Sequence, residues 1–362
     1  MKSKRCFSET NPNDLAASRN DTVGRRPLTV ARGTTKSLQP ACSVQMNPTQ
    51  SDLIRLNPAE TGRGKPDASC KDTNNRGLDN DLNAAAPACY RNGMKLVDTH
   101  AHLTDGRFHD DLDTVVRRAA EAGVGRIITL ATALEDCEAV LKLAERFLTV
   151  FAAVGVHPHA ADASPADVTG ALAEFAKHPK VVAIGEAGMD YHYLPGRTQG
   201  RPDLDAAAKA SQRRVFAQQL ELAARLDKPI VIHLRECAGD LLELVAPYRG
   251  RLRGVFHCFS EEGDVARRVV DFGFHISFSG MLTFKKNAVL RETAAGLPPE
   301  RVMVETDCPY MSPEPHRRER CEPALVVHTA GALAAARGVP VETVARQTTE
   351  NAERLFGLPA MG

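Results

Sequence analysis

From residue 94 onward the chain repeats one pattern eight times: a short apolar run followed by a longer amphipathic stretch. The apolar runs fall at 95–99, 126–130, 150–154, 181–185, 229–233, 254–257, 275–279 and 302–305. Several are rich in Val and Ile without polar alternation, as strands covered on both faces require. The amphipathic stretches fall at 112–122, 134–147, 167–178, 208–226, 239–248, 263–272 and 288–295, with two more at 324–336 and 341–355. Gly123 follows one of them and Ser164-Pro165 precedes another, which suits a helix stop and a helix start. Strict alternation of strand and helix indicates parallel βαβ units. Eight such units in roughly 260 residues predict an α/β fold, a closed (β/α)8 TIM-type barrel. A doubly wound open sheet is the alternative, but no GxGxxG turn follows the first strand.

The pattern divides the chain into residues 1–93 and 94–362. The first segment holds 14 Lys/Arg against 9 Asp/Glu, none of the 12 histidines, and only Phe7 and Tyr90 among the aromatics. A stretch so poor in apolar side chains cannot offset its ordering entropy, so a disordered extension is expected. An equal alternative is that Met94 is the true start. Nine cysteines without a CxxC pair do not suggest a disulfide framework; reduced thiols and a cytoplasmic location are expected. No run approaches the ~20 apolar residues of a membrane span, so no membrane partner is expected. No apolar segment follows the basic Met1–Arg5, so a secretory signal is not expected.

A (β/α)8 barrel carries its chemistry at the C-terminal ends of its strands. Here the first strand ends in His100-Ala101-His102, the third in His157-Pro158-His159 and the fourth in Glu186. The fifth ends in His233, the sixth in His257 and the eighth in Asp307. Residues i and i+2 of a strand point the same way, so His100 and His102 can grip one ion together. Imidazole suits Zn, Mn, Fe or Ni, and carboxylates also suit Mg and Mn. Glu186 could bridge two cations, and Asp307 could accept a proton from an activated water. Singly these residues say little: a lone His at a strand end is usually structural, and Asp307 before Cys308-Pro309 could simply form a turn. Their joint placement on one rim is what predicts a metal site. Asp98 is read either as orienting a histidine or as a buried acceptor.

The same residues carry a family resemblance. DTHAHL (98–103), GVHPH (155–159), IGEAGMDYH (184–192), PIVIHLREC (229–237), FHCFS (256–260), SGMLTFKK (279–286) and ETDCPYMSP (305–313) occur in that order. With them the chain resembles the TatD family of metal-dependent deoxyribonucleases, among the amidohydrolase-like barrels. The resemblance implies two divalent ions (Mg, Mn or Zn). His100, His102, Glu186 and Asp307 would hold one, and Glu186, His233 and His257 the other. It implies hydrolysis of DNA phosphodiesters from a 3′ end of single strands, with Glu186 and Asp307 as the catalytic carboxylates. His157, His159, Arg235 and Lys285 are the substrate-contact candidates. One departure is visible: Cys321 stands in Arg320-Cys321-Glu322-Pro323 where the family usually has Asn. A thiol cannot replace both the donor and the acceptor of an amide.

Two other readings remain. The same site could hydrolyse an ester or amide, as a deacylase of misacylated tRNA would. A non-catalytic nucleic-acid-binding barrel would be expected to lose ligand residues, yet all six are present. Residues 94–362 carry 32 Lys/Arg against 36 Asp/Glu. That balance disfavours a protein that wraps a duplex, but it does not disfavour one that admits only a strand end.

Overall fold

The structure, a computed structural model, describes residues 94–361; the expected disorder of residues 1–93 lies outside the described residues. Apolar β-branched runs pair as strands in sequence order. They are β1 (Leu96–Ala101), β2 (Val124–Leu130), β3 (Val150–Val154) and β4 (Val181–Asp190). The series continues with β5 (Ile230–Arg235), β6 (Gly254–Phe256), β7 (His275–Phe278) and β8 (Val302–Val304). Between them run α1 (Leu112–Glu121), α2 (Cys137–Arg146), α3 (Thr169–Phe175), the short α4 (Pro195–Thr198) and α5 (Asp205–Leu226). Then come α6 (Ala238–Val245), α7 (Gly263–Asp271), α8 (Ala288–Gly296), α9 (Val326–Arg337) and α10 (Val341–Phe356).

All seven ladders are parallel and join consecutive strands. The ring is nearly closed: an isolated bridge pairs Ala101 with Cys308, just beyond β8. The His102 amide donates to the Cys308 carbonyl at 2.8 Å, and the Asp307 amide donates to the His100 carbonyl at 2.9 Å. This is the expected eight-stranded barrel, and the closing seam runs through two of the candidate histidines.

Side chains alternate across each strand. Val97, Ile128, Phe151, Val182, Val231, Val255 and Met303 form one buried cluster inside the barrel, joined by Leu355 and Phe356 of α10. Their neighbours Leu96, Ile127, Val150, Val181, Ile230, Ile276 and Val302 pack outward against the helices. Burying each such side chain contributes about 1.5–3 kcal/mol. Truncating Phe356, 4% exposed, would cost about 3–5 kcal/mol. Among the described residues no single helix is long and apolar enough to cross a membrane.

One element differs materially from its sequence reading. β4 does not end near Gly185 but continues to Asp190, pairing Gly188, Met189 and Asp190 with His233, Leu234 and Arg235. Two glycines that resemble a strand end in sequence allow this continuation. At Gly188 (φ 150°) a Cβ would stand 2.0 Å from the His233 carbonyl, and at Gly185 (φ 145°) one would stand 2.9 Å from Val231. Only glycine admits so close an approach of β4 to β5.

Candidate metal centre

The donor residues sit where backbone hydrogen bonds fix them. Asp98, fully buried on β1, accepts from the amides of His100 (3.3 Å) and Thr306 (2.9 Å) and from the Thr306 hydroxyl (2.6 Å). It is therefore the buried acceptor of the two alternatives. It ties the His100 segment to the turn bearing Asp307, whose φ of 60° is a left-handed conformation found at few non-glycine positions. On β4 the ladder to β5 shifts between Ile184 and Ala187, and Glu186 lies in that irregularity.

Around Glu186 the imidazoles fall into two groups, one at each carboxylate oxygen. Its Oε2 lies 3.3 Å from His100 Nε2 and 3.5 Å from His102 Nε2. These two nitrogens are 3.2 Å apart, and Asp307 Oδ1 is 3.5 Å from His102 Nε2. Its Oε1 lies 2.7 Å from His257 Nε2, 2.8 Å from His233 Nδ1 and 3.4 Å from His157 Nε2. His233 Nδ1 and His257 Nε2 are 3.2 Å apart. Two atoms bound at about 2.1 Å to one tetrahedral ion lie about 3.4 Å apart, which the 3.2–3.5 Å spacings approach, while the 2.7 and 2.8 Å contacts of Oε1 are hydrogen-bond distances. The sets His100–His102–Asp307 and His157–Glu186–His233 could each hold an ion, as could His100–His257–Glu305.

Charge points the same way. Glu186, Asp190, Glu305 and Asp307 are all buried, between 0% and 9% exposed, while burial raises the Asp98 carboxyl to about 8, so it adds little charge. Among the described residues none of these four has a lysine or arginine within ion-pair distance; their charged-group partners are imidazoles. So many uncompensated buried carboxylates are costly unless cations join them. The donor set therefore fits divalent metal.

Protonation is split within the cluster. Burial disfavours the Glu186 carboxylate, yet the surrounding imidazoles outweigh it and hold the group well below the usual range. His257 is also opposed by burial, but Glu186 and Glu305 lift it well above the ordinary imidazole value. Burial dominates at His157, pushed well down, and at His100, which is lowered further by its stacked neighbour His257.

All six expected ligands, His100, His102, Glu186, His233, His257 and Asp307, therefore converge. His157, expected at the substrate, also stands within the donor cluster. His159 lies outside it, with Nε2 3.1 Å from Asp190 Oδ2. Arg235 ends β5 with its guanidinium 4.8 Å over the Tyr193 ring. Lys285 is exposed, and its side chain makes no ion pair among the described residues. Cys321 is buried, its thiol 3.9 Å from the Thr306 carbonyl. Cys137, Cys237, Cys258, Cys308 and Cys321 are all free thiols.

Two carboxylates escaped the sequence reading. Asp190 Oδ2 lies 3.2 Å from His233 Nε2, and Glu305 Oε1 lies 3.3 Å from His257 Nδ1. Each faces the ring nitrogen opposite the one that points at Glu186, the arrangement that orients a metal-binding histidine. Their signal was present in sequence: Asp190 is two residues past Gly188, and Glu305 two before Asp307.

The family model described as TatD related DNase matches residues 97–357. The chain is 39% identical over 265 residues to an uncharacterized metal-dependent hydrolase TatD of Mycobacterium tuberculosis, covering 73% of this chain and 98% of that protein. It is 33% identical over 270 residues to a protein of Citrobacter koseri named 3′-5′ ssDNA/RNA exonuclease TatD, covering 73% and 99%. The crystal structure of the TatD homologue YJJV of Escherichia coli K12 superposes with a TM-score of 0.66 at 29% identity, covering 74% of this chain and 99% of that one.

Proposed function

The chain belongs to the TatD-related DNase family of metal-dependent hydrolases, and from that premise we propose that it cleaves DNA phosphodiesters from the 3′ end of single strands. The observation that carries the reading is Glu186, which presents one oxygen to each of two imidazole groups. That disposition supports a bridging carboxylate, with His100, His102 and Asp307 on one side and His233 and His257 on the other. The printed name of the Citrobacter koseri relative supports the strand and end preference.

Divalent cations held there would acidify water and draw charge from a phosphoryl oxygen. The chain's own residues do the rest. Asp307, held ionised by His102, His100 and His257 against the pull of burial, accepts the proton of the attacking water. His157 and Arg235 would offset the growing negative charge of the phosphate, with Lys285 as the third candidate contact. With cations bound, Asp190 and Glu305 would hold the protons of His233 Nε2 and His257 Nδ1 and leave the opposite ring nitrogens free toward the centre. We place the reaction in the cytoplasm, a reading supported by the five free thiols.

The test uses the full chain, stripped with chelator and restored with Mg, Mn or Zn. It is assayed on 3′-tailed single-stranded DNA and, in parallel, on aminoacyl-tRNA. The reading expects metal-dependent shortening of the DNA from its 3′ end. Deacylation of the tRNA without DNA cleavage would replace it with the ester-hydrolase alternative.

A further inference from the structure

Six large apolar or aromatic side chains are exposed among the described residues, and two of them are tyrosines beside the donor cluster: Tyr193, 38% exposed, and Tyr310, 44% exposed. They lie on opposite sides of it. Tyr310 stands edge-on to His102, with ring centroids 6.2 Å apart, on the Asp307 side. Tyr193 stands edge-on to His159 at 5.2 Å, and His159 in turn to His157 at 4.4 Å. Each tyrosine follows a site carboxylate by three residues, Asp190 and Asp307. The backbone fixes both. The Tyr193 amide donates to Asp190 Oδ1 at 3.1 Å, and the Tyr310 amide donates to the Asp307 carbonyl at 2.9 Å.

Both rings carry an arginine. The Arg107 guanidinium lies 4.3 Å over Tyr310, held there by two 2.9 Å hydrogen bonds to Asp105. Arg235 lies 4.8 Å over Tyr193 and forms no ion pair among the described residues. A buried ring needs no such exposure, and a rim built only for phosphate needs no ring. Base stacking on an aromatic face is insensitive to sequence and holds a single strand where few cations are available. Residues 94–362 have that scarcity, with 36 acidic residues against 32 basic.

We propose that Tyr193 and Tyr310 are stacking platforms for the two nucleobases that flank the reacting phosphodiester. The proposal rests on the reading of single-stranded nucleic acid as substrate. It assigns base-binding to two residues outside the donor cluster, one on each side of it. Arg107 and Arg235 steady the rings and add cation–π attraction to the stacked base.

The experiment compares the metal-restored full chain and its variants on single-stranded oligomers. The oligomers are either intact or carry an abasic residue at the terminal or the penultimate position. The quantity read is the ratio of kcat/KM for the intact oligomer to that for each abasic one. In Tyr193→Ala and Tyr310→Ala this ratio should fall roughly 5- to 150-fold, each at a different position. Tyr→Phe at either site should keep the wild-type ratio, because the ring remains. Should an alanine variant fold poorly by thermal melting, Tyr→Leu keeps the bulk without the ring and should lose the ratio equally. Wild-type ratios in both alanine variants, or losses as large in the phenylalanine variants, would overturn the proposal while leaving the nuclease reading intact. A wild-type chain that cleaves neither intact nor abasic oligomers would overturn that reading, and the platforms with it.

Discussion

Asp190→Asn tests the hydrogen-bond logic of the centre with the smallest change. In the native site Asp190 Oδ1 accepts from the amides of His192 (2.8 Å) and Tyr193 (3.1 Å), while Oδ2 faces His159 Nε2 (3.1 Å) and His233 Nε2 (3.2 Å). Burial opposes its charge, but the two imidazoles outweigh it and keep the carboxylate ionised. With a cation bound, His233 would carry its proton on Nε2 toward Asp190 and offer the Nδ1 lone pair, on the side of Glu186 2.8 Å away, to the ion. Asparagine can preserve the two amide bonds only by keeping its oxygen there, which turns its NH2 toward the imidazoles. That donor requires an acceptor at His233 Nε2, so the proton moves to Nδ1, where it blocks ligation. Restoring the competent tautomer breaks a buried hydrogen bond, at about 1–3 kcal/mol. Affinity for one ion should fall about 10- to 100-fold. Calorimetric titration of the stripped full chain with Mn or Zn measures it, with the melting temperature as a folding control. Native affinity in a folded variant would refute the tautomer argument.

Further outcomes follow from the same structure. Glu305→Gln should weaken metal binding less than tenfold. Its amide oxygen can still accept from both His257 Nδ1 and the Cys258 amide, so the His257 tautomer survives; a loss matching that of Asp190→Asn in the same titration contradicts this. Gly188→Ala should cost about 3 kcal/mol or more in denaturant unfolding, because its Cβ would meet the His233 carbonyl at 2.0 Å. Native stability there would mean that β4 and β5 can separate freely. His275, 7% exposed with an unpartnered Nδ1, is pushed down to about 4 from 6.5 by burial and by Arg301. A depressed folded value means the unfolded chain binds the proton more tightly. Stability is thus complete above pH 6.5 and lost as pH falls toward 4. The loss from this residue is about 2.5 kcal/mol between pH 7.5 and 4.5. His275→Leu should remove that part of the acid sensitivity in paired denaturation curves; an unchanged pH slope would contradict it.

The barrel was legible because its signal is repeated: eight apolar runs each had to find a neighbour, and an error of two residues at one end changes no pairing. The six candidate ligands were legible because the fold gives strand ends a common rim. Asp190 was missed for the same reason. Polar residues at strand ends mark the rim, and the sequence pattern ends β4 near Gly185, whereas the glycines let it run on beside β5 to Asp190. Glu305 was assigned to strand rather than site, although its side chain reaches His257. That His157, a substrate-contact candidate, also stands within the donor cluster turns on a 3.4 Å approach to Glu186 that no spacing rule encodes. Tyr193 and Tyr310 were invisible as a pair, since nothing in sequence distinguishes an exposed aromatic on the rim from a packed one.

The central claim, that Glu186 links two cation sites, is tested most directly by the metal stoichiometry of the stripped full chain on titration with Mn. The account predicts two ions per wild-type chain and fewer than two at the same free metal in Glu186→Gln. Binding of a single ion by the wild-type chain, or two ions bound equally tightly by Glu186→Gln, would contradict it.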